Sequence, residues 1–125
     1  MNEHKKSVVF IEDDEHLFKV YETKFSKEGI KTSFVVTGEG AISHIVAEKP
    51  DLIVLDIMIP KKDGFAVLKE LQPLRLNTKI VVTSNLSQEE DFKKAKELGA
   101  TEFFIKSEIT LAEIVQNVNK FLNTA

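Results

Sequence analysis

Asp56 is set in an apolar stretch, Leu-Ile-Val-Leu-Asp-Ile-Met-Ile-Pro over positions 52–60, in which seven of nine residues are branched aliphatics or Met. Such a stretch reads as a strand buried on both faces, where an ionised carboxylate is costly unless something compensates it. Few groups are on hand to do so. Four consecutive acids, Glu12-Asp13-Asp14-Glu15, follow a short apolar run at 8–11; Thr83 and Ser84 close a second run, and Lys106 closes a third. With no cysteine in the chain and no histidine among these positions, the ligands are hard oxygens, which suit Mg2+, with Mn2+ as a substitute, over zinc or an all-protein calcium cage. A metal held by carboxylates beside a lysine and a hydroxyl suits phosphoryl transfer, where catalysis is mostly positioning and charge neutralisation.

These groups can meet only if strand ends bring them together. Residues 8–11 form a predicted strand that stops in acid, and Leu17, Phe18, Tyr21 and Phe25 then recur at helical spacing over 14–28, with Gly29 as the stop. A second strand over 31–36 has a polar first half, as an edge strand would. Residues 37–40 open a helix carrying Ala41, Ile42, Ile45 and Val46 that stops near Pro50. Strand three is 52–60, followed by a helix over 64–72 ending at Pro73. Strand four is 79–84. Ser87 and Glu90 then have capping-box spacing for a helix running to Leu98, whose thin apolar face of Phe92, Ala95 and Leu98 predicts the most loosely held helix. Strand five is 102–106, and Thr110 with Glu113 caps a last helix with Leu111, Ile114, Val115, Val118, Phe121 and Leu122 on one face.

Strict strand–helix alternation predicts an α/β fold: a flavodoxin-like, doubly wound (βα)5 three-layer sandwich around a five-stranded parallel sheet of order 2-1-3-4-5. Ligands in such sheets bind outside the carboxyl ends of the strands, at the switch point between strands one and three. Glu12, Asp13 and Asp56 should therefore converge there, with Ser84 or Thr83 and Lys106 beside them. Three carboxylates against one lysine either raise a carboxyl pKa or recruit a divalent ion.

At 125 residues, with 42% hydrophobic and 30% charged residues, the expectation is one globular domain over 1–125 with its core over about 6–124. The net charge of -3 and the scattered lysine pairs argue against nucleic-acid binding. The polar N-terminus is followed by only four apolar residues, 8–11, before Glu12, too few for a signal segment or membrane span, so the expected location is cytoplasmic.

Taken together, these features resemble the receiver domain of two-component response regulators, of the chemotaxis-regulator type, over essentially the whole chain. Glu-Asp-Asp alone is a weak signal. The combination is specific: an acidic pair after strand one, Asp56 forty-three residues beyond Asp13, Pro60 and Gly64 four and eight residues after Asp56, a hydroxyl after strand four, and Lys106 after strand five. The resemblance implies that Asp56 accepts a phosphoryl group from a phosphohistidine on a sensor histidine kinase or phosphotransfer protein. It implies that Asp13, Asp56 and the backbone carbonyl of Met58 ligate Mg2+, with Glu12 acting mainly through a water. Ser84 would bind a phosphoryl oxygen and Lys106 would pair with it. Ser84 is preferred to Thr83 because the family's hydroxyl lies fifteen residues before the glycine that is Gly99 here. Phe103 falls at the family's switch-aromatic position, and output through an unnamed downstream protein is implied at the helix 4, strand 5, helix 5 face, in a monomer or a phosphorylation-dependent homodimer. Met58 and Leu86, apolar where the family flanks the attacking water, imply slow self-dephosphorylation.

Three departures stand out. Ser107 replaces the usual proline after the lysine, Asn85 replaces a small residue and narrows the approach to Asp56, and Phe103 lacks a tyrosine hydroxyl. The alternative reading is a degenerate receiver that binds partners without phosphorylation. A flavin carrier of similar topology is disfavoured because acids, not a phosphate cradle, follow strand one. A haloacid-dehalogenase-type phosphatase is disfavoured because Met58 stands where its second Asp would be. Plainer roles are also open: Asp14 as a helix cap, Ser84 as a turn former, Lys106 as a snorkelling side chain and Phe103 as core. His4, His16 and His44 receive no catalytic role.

Overall fold

The computed structural model describes residues 6–59 and 61–123, so the expectations for His4, Pro60 and the core boundary at 124 lie outside the described residues. These residues form five strands, β1 (Ser7–Ile11), β2 (Lys31–Val35), β3 (Leu52–Asp56), β4 (Lys79–Ser84) and β5 (Glu102–Ile105), alternating with five α-helices. The helices are α1 (Glu15–Ser26), α2 (Ala41–Glu48), α3 (Gly64–Leu71), α4 (Glu89–Glu97) and α5 (Leu111–Leu122). The strands pair in parallel in the order β2-β1-β3-β4-β5, the expected flavodoxin-like arrangement.

Alternation along each strand explains the three layers. Val8 and Phe10 face a core filled by Tyr21 and Phe25 of α1 and Ile114, Val118 and Leu122 of α5. Val9 and Ile11 face the other, filled by Ile45 of α2, Val67 and Leu68 of α3 and Ala95 of α4. Phe10 stacks on Tyr21 at 4.4 Å and on Phe34 at 5.3 Å, which fixes α1 over the β1–β2 half of the sheet. β3 is buried throughout, whereas β2 and β5 are half-buried edges.

Several boundaries differ from expectation, each for a local reason. β3 ends at Asp56, because the Asp56 carboxylate takes the N–H of Met58 at 3.0 Å and turns the chain out of the sheet. β5 ends at Ile105, and Lys106 opens a 3-10 turn (Lys106–Glu108). β2 stops at Val35, α1 at Ser26 and α3 at Leu71, the last followed by a 3-10 turn (Gln72–Leu74) that absorbs Pro73. The capping box of α4 is formed one residue later than expected, by Gln88 and Asp91 rather than Ser87 and Glu90. Both frames offer a polar residue three before an acid, so local spacing does not distinguish them. The Thr110–Glu113 box of α5 forms as expected, with bonds of 2.9 and 3.1 Å. As foreseen, the buried surface of α4 is thin: Ala95 is its one buried residue.

Gly64 lets α3 start hard against the end of β3. A Cβ there would lie 2.6 Å from the Ile57 Cα and 2.9 Å from the Asp56 carbonyl oxygen, both backbone atoms with nowhere to go. Gly64→Ala is therefore expected to cost about 1–3 kcal/mol, the usual penalty of an overpacked site, and to displace the loop below Asp56. A fall in the urea midpoint at unchanged m-value checks this; an unchanged midpoint contradicts it.

Candidate functional site

Sheet register decides which groups meet. Ile11 pairs with Leu55, so Glu12 emerges level with Asp56, which itself pairs with Thr83. Ser84 pairs with Ile105, so Lys106 is the first residue past the ladder on the same edge. One end of the sheet thus gathers the groups that the sequence scatters over more than ninety positions.

Lys106 is the centre of the cluster. Its Nζ donates to Glu12 Oε2 at 2.9 Å and Oε1 at 3.2 Å, and to Asp56 Oδ2 at 3.0 Å. Asp56, 4% exposed, has Oδ1 bonded to the Met58 N–H, so each of its oxygens has a partner. Glu12, 5% exposed, also accepts the Asp14 N–H at 3.2 Å. Asp14 itself caps α1 through the His16 N–H, the plain role expected of it. Asp13 is exposed, and Glu12, Asp13 and Asp56 each offer an oxygen within 4.8 Å of the others. Three hard oxygens, two fixed on buried residues and one open to water, fit a divalent ion that keeps part of its hydration shell.

Other expected residues lie close but are differently engaged. Ser84 is fully buried, and its Oγ accepts the Leu86 N–H at 3.2 Å, a turn-forming bond rather than a contact to Asp56. Thr83 is also buried, across the ladder from Asp56. Phe103 is half-buried and meets Phe92 of α4 edge-on, with ring centroids 4.7 Å apart. Met58 exposes 58% of its surface at the mouth of the site. No described peptide bond is cis, including that between Lys106 and Ser107. The Asn85 carboxamide turns its oxygen to the Ser107 N–H at 3.1 Å. His44 bonds to Ser33 on the α2 side, away from the cluster. Sequence reasoning assigned Glu12 a water-mediated role and missed that Lys106 grips both of its oxygens; the two residues are 94 positions apart, with no local pattern to link them.

The electrostatics follow from too little positive charge. Burial, reinforced by the Asp56 charge, pushes the Glu12 carboxyl up to about 7 against the pull of Lys106 and the Asp14 N–H. Burial alone would lower the Lys106 pKa, but its bonds to Glu12 and Asp56 win and raise it, so the ammonium persists at neutral pH. Burial raises the Tyr21 phenol to about 12, with the Glu12 charge adding to it. For Glu12, a folded value of about 7 above the ordinary 4.5 means the folded chain binds more protons between these limits. Stability contributed by this group therefore falls as pH rises from about 4.5 to about 7 and is level above that. In metal-free buffer the urea midpoint of the wild type, measured relative to Glu12→Gln, should decline across that window. A pH-independent difference contradicts the assignment.

The family model for the response regulator receiver domain matches residues 8–119. Sporulation initiation phosphotransferase F of Bacillus subtilis is 30% identical over 115 residues, covering 91% of this chain and 92% of that protein. The alkaline phosphatase synthesis transcriptional regulatory protein PhoP of Bacillus subtilis is 33% identical over 81% of this chain, but the match spans only 42% of PhoP. Among solved structures, the BeF3-activated N-terminal receiver domain of RstA from Klebsiella pneumoniae superposes with a TM-score of 0.83 at 27% identity, covering 95% of this chain and 100% of that one. The non-phosphorylated HemR receiver domain from Leptospira biflexa, at 21% identity, shares the fold with a TM-score of 0.87 over 97% of each chain. With the family match over most of its length and the acid–lysine cluster at the end of a sheet of this order, the chain belongs to the receiver domains of two-component response regulators.

Proposed function

We propose that this chain is a phosphoacceptor receiver, a single unit over 1–125, in which Asp56 takes a phosphoryl group from the phosphohistidine of a sensor histidine kinase or phosphotransfer protein. One observation carries the reading: a buried Asp56 carboxylate held between the Lys106 ammonium at 3.0 Å and the Met58 N–H at 3.0 Å, with Glu12 and Asp13 alongside. An Asp56 oxygen attacks phosphorus, the P–N bond breaks with its electron pair returning to the imidazole, and an acyl phosphate results. Asp13, Asp56 and the Met58 carbonyl would hold Mg2+, or Mn2+ in its place, with Glu12 acting through a water. The ion supplies neutralisation of charge on the transferring oxygens. Lys106 pairs with the phosphoryl group as its bonds to Glu12 and Asp56 rearrange, and Ser84 gives up the Leu86 N–H that its Oγ accepts and donates its hydroxyl proton to a phosphoryl oxygen.

That exchange moves the loop after β4, and the response is a population shift between two arrangements of this loop and α4. The thin buried face of α4 supports this placement, as does the edge-on packing of Phe103 on Phe92; in this reading the Phe103 ring turns inward as Ser84 moves. A groove of about 790 Å3 between α4, β5 and α5, lined in part by Phe92, Phe103, Ile105 and Ile109, is the proposed output face for a downstream protein or a second copy. No described helix is long and apolar enough to cross a membrane; a cytoplasmic location is part of the same proposal. The test is a time course of intact mass with phosphoramidate, a small P–N donor. Mg2+-dependent gain of one phosphoryl group is expected; no gain despite measurable Mg2+ binding would favour a phosphorylation-independent binding module.

A further inference from the structure

The two loops carrying the cluster are joined by one bond. Asn85 directly follows Ser84 and Ser107 directly follows Lys106, and Asn85 Oδ1 accepts the Ser107 N–H at 3.1 Å. Because the donor is a backbone amide, the carboxamide oxygen must be the acceptor, and the side chain's orientation is set. The β4–β5 ladder runs only to Ser84 and Ile105, so this bond extends the tie beyond the point where the two chains leave the sheet. Both residues are exposed, so the bond adds little to folding stability. Its consequence is positional.

We propose that the Asn85–Ser107 bond is a clamp that sets the spacing of Ser84 and Lys106, so that both reach a phosphoryl group on Asp56 together. Without it the two loops sample positions independently, and ordering already present in the ground state has to be supplied during transfer. The proposal rests on the phosphoacceptor reading and makes Asn85 and Ser107 positioning residues, because neither touches the reacting atoms. It also links the two departures at 85 and 107: proline at 107 would have no N–H to give, and alanine or glycine at 85 would have no side-chain oxygen to receive it.

The test compares wild type, Asn85→Ala, Ser107→Pro and the double variant, following phosphorylation by acetyl phosphate at saturating Mg2+ through intact mass. Each single change should slow uptake about fivefold, the scale of one exposed hydrogen bond, and the double variant should be no slower than the slower single. The Mg2+ half-saturation point should not move. Amide exchange at Ser107 should accelerate in Asn85→Ala while core amides keep their protection, a comparison that stands even if Ser107→Pro folds poorly. Losses that multiply in the double variant overturn the clamp. So does an Asn85→Ala chain that loses Ser107 protection yet is phosphorylated at the wild-type rate, or faster, since a faster rate marks Asn85 as an obstruction. A wild-type chain that takes up no phosphoryl group overturns the phosphoacceptor reading itself, and the clamp with it.

Discussion

Asp56→Asn is expected to take up no phosphoryl group from any donor and to bind Mg2+ more weakly, while remaining folded. The amide has the size of the carboxylate but lacks its charge and nucleophilic oxygen. Lys106 keeps both Glu12 oxygens, so no buried cation is orphaned. The Asp56 charge also helps push Glu12 up to about 7, so its removal relieves repulsion inside the cluster. In metal-free buffer the variant should therefore unfold at a urea concentration no lower than the wild type. Phosphoryl uptake by the folded variant would move the acceptor elsewhere, and a large loss of stability would mean that Asp56 is chiefly a structural ion-pair partner.

Lys106→Met should have the opposite profile. It keeps a similar length of apolar stem and removes the cation that two buried carboxylates share. Stranding a fully buried ion costs about 3–5 kcal/mol. The Lys106 side chain is 26% exposed, which discounts the loss to about 1–3 kcal/mol in metal-free buffer. Saturating Mg2+ should restore most of it, because the metal then supplies the missing positive charge, and Mg2+ affinity should rise once its competitor is gone. Phosphorylation should nevertheless slow roughly 10²-fold, the usual effect of deleting one donor to a developing anionic oxygen. Calorimetric Mg2+ titration beside the phosphorylation time course reads both; weaker Mg2+ binding in the variant would refute the charge balance argued for the site.

How far the sequence shows this arrangement depends on the range of each interaction. The runs 8–11 and 79–84 are legible because buried parallel strands need continuous apolar residues, and their chemistry-bearing neighbours are then the residues that follow. The end of β3 is not legible in the same way. Ile57, Met58 and Ile59 prolong the apolar run, and only the bond from Met58 N–H to Asp56 Oδ1 shows that the strand has already turned. The α4 cap slipped by one residue because Ser87–Glu90 and Gln88–Asp91 carry equivalent spacing. Longer-range pairings leave no local trace at all. The sequence marks Glu12, Lys106, Asn85 and Ser107 individually, yet only the register of β1, β3, β4 and β5 makes partners of the first two and of the last two.

The central claim is that the phosphoryl group resides on the Asp56 carboxylate. After incubation with acetyl phosphate and Mg2+, borohydride reduction converts an acyl phosphate of aspartate to homoserine, which peptide mass mapping locates to a single residue. Homoserine at position 56, absent when Mg2+ is chelated, is the predicted result. Homoserine at position 13, or a phosphoryl group that survives reduction on Ser84, would contradict the account.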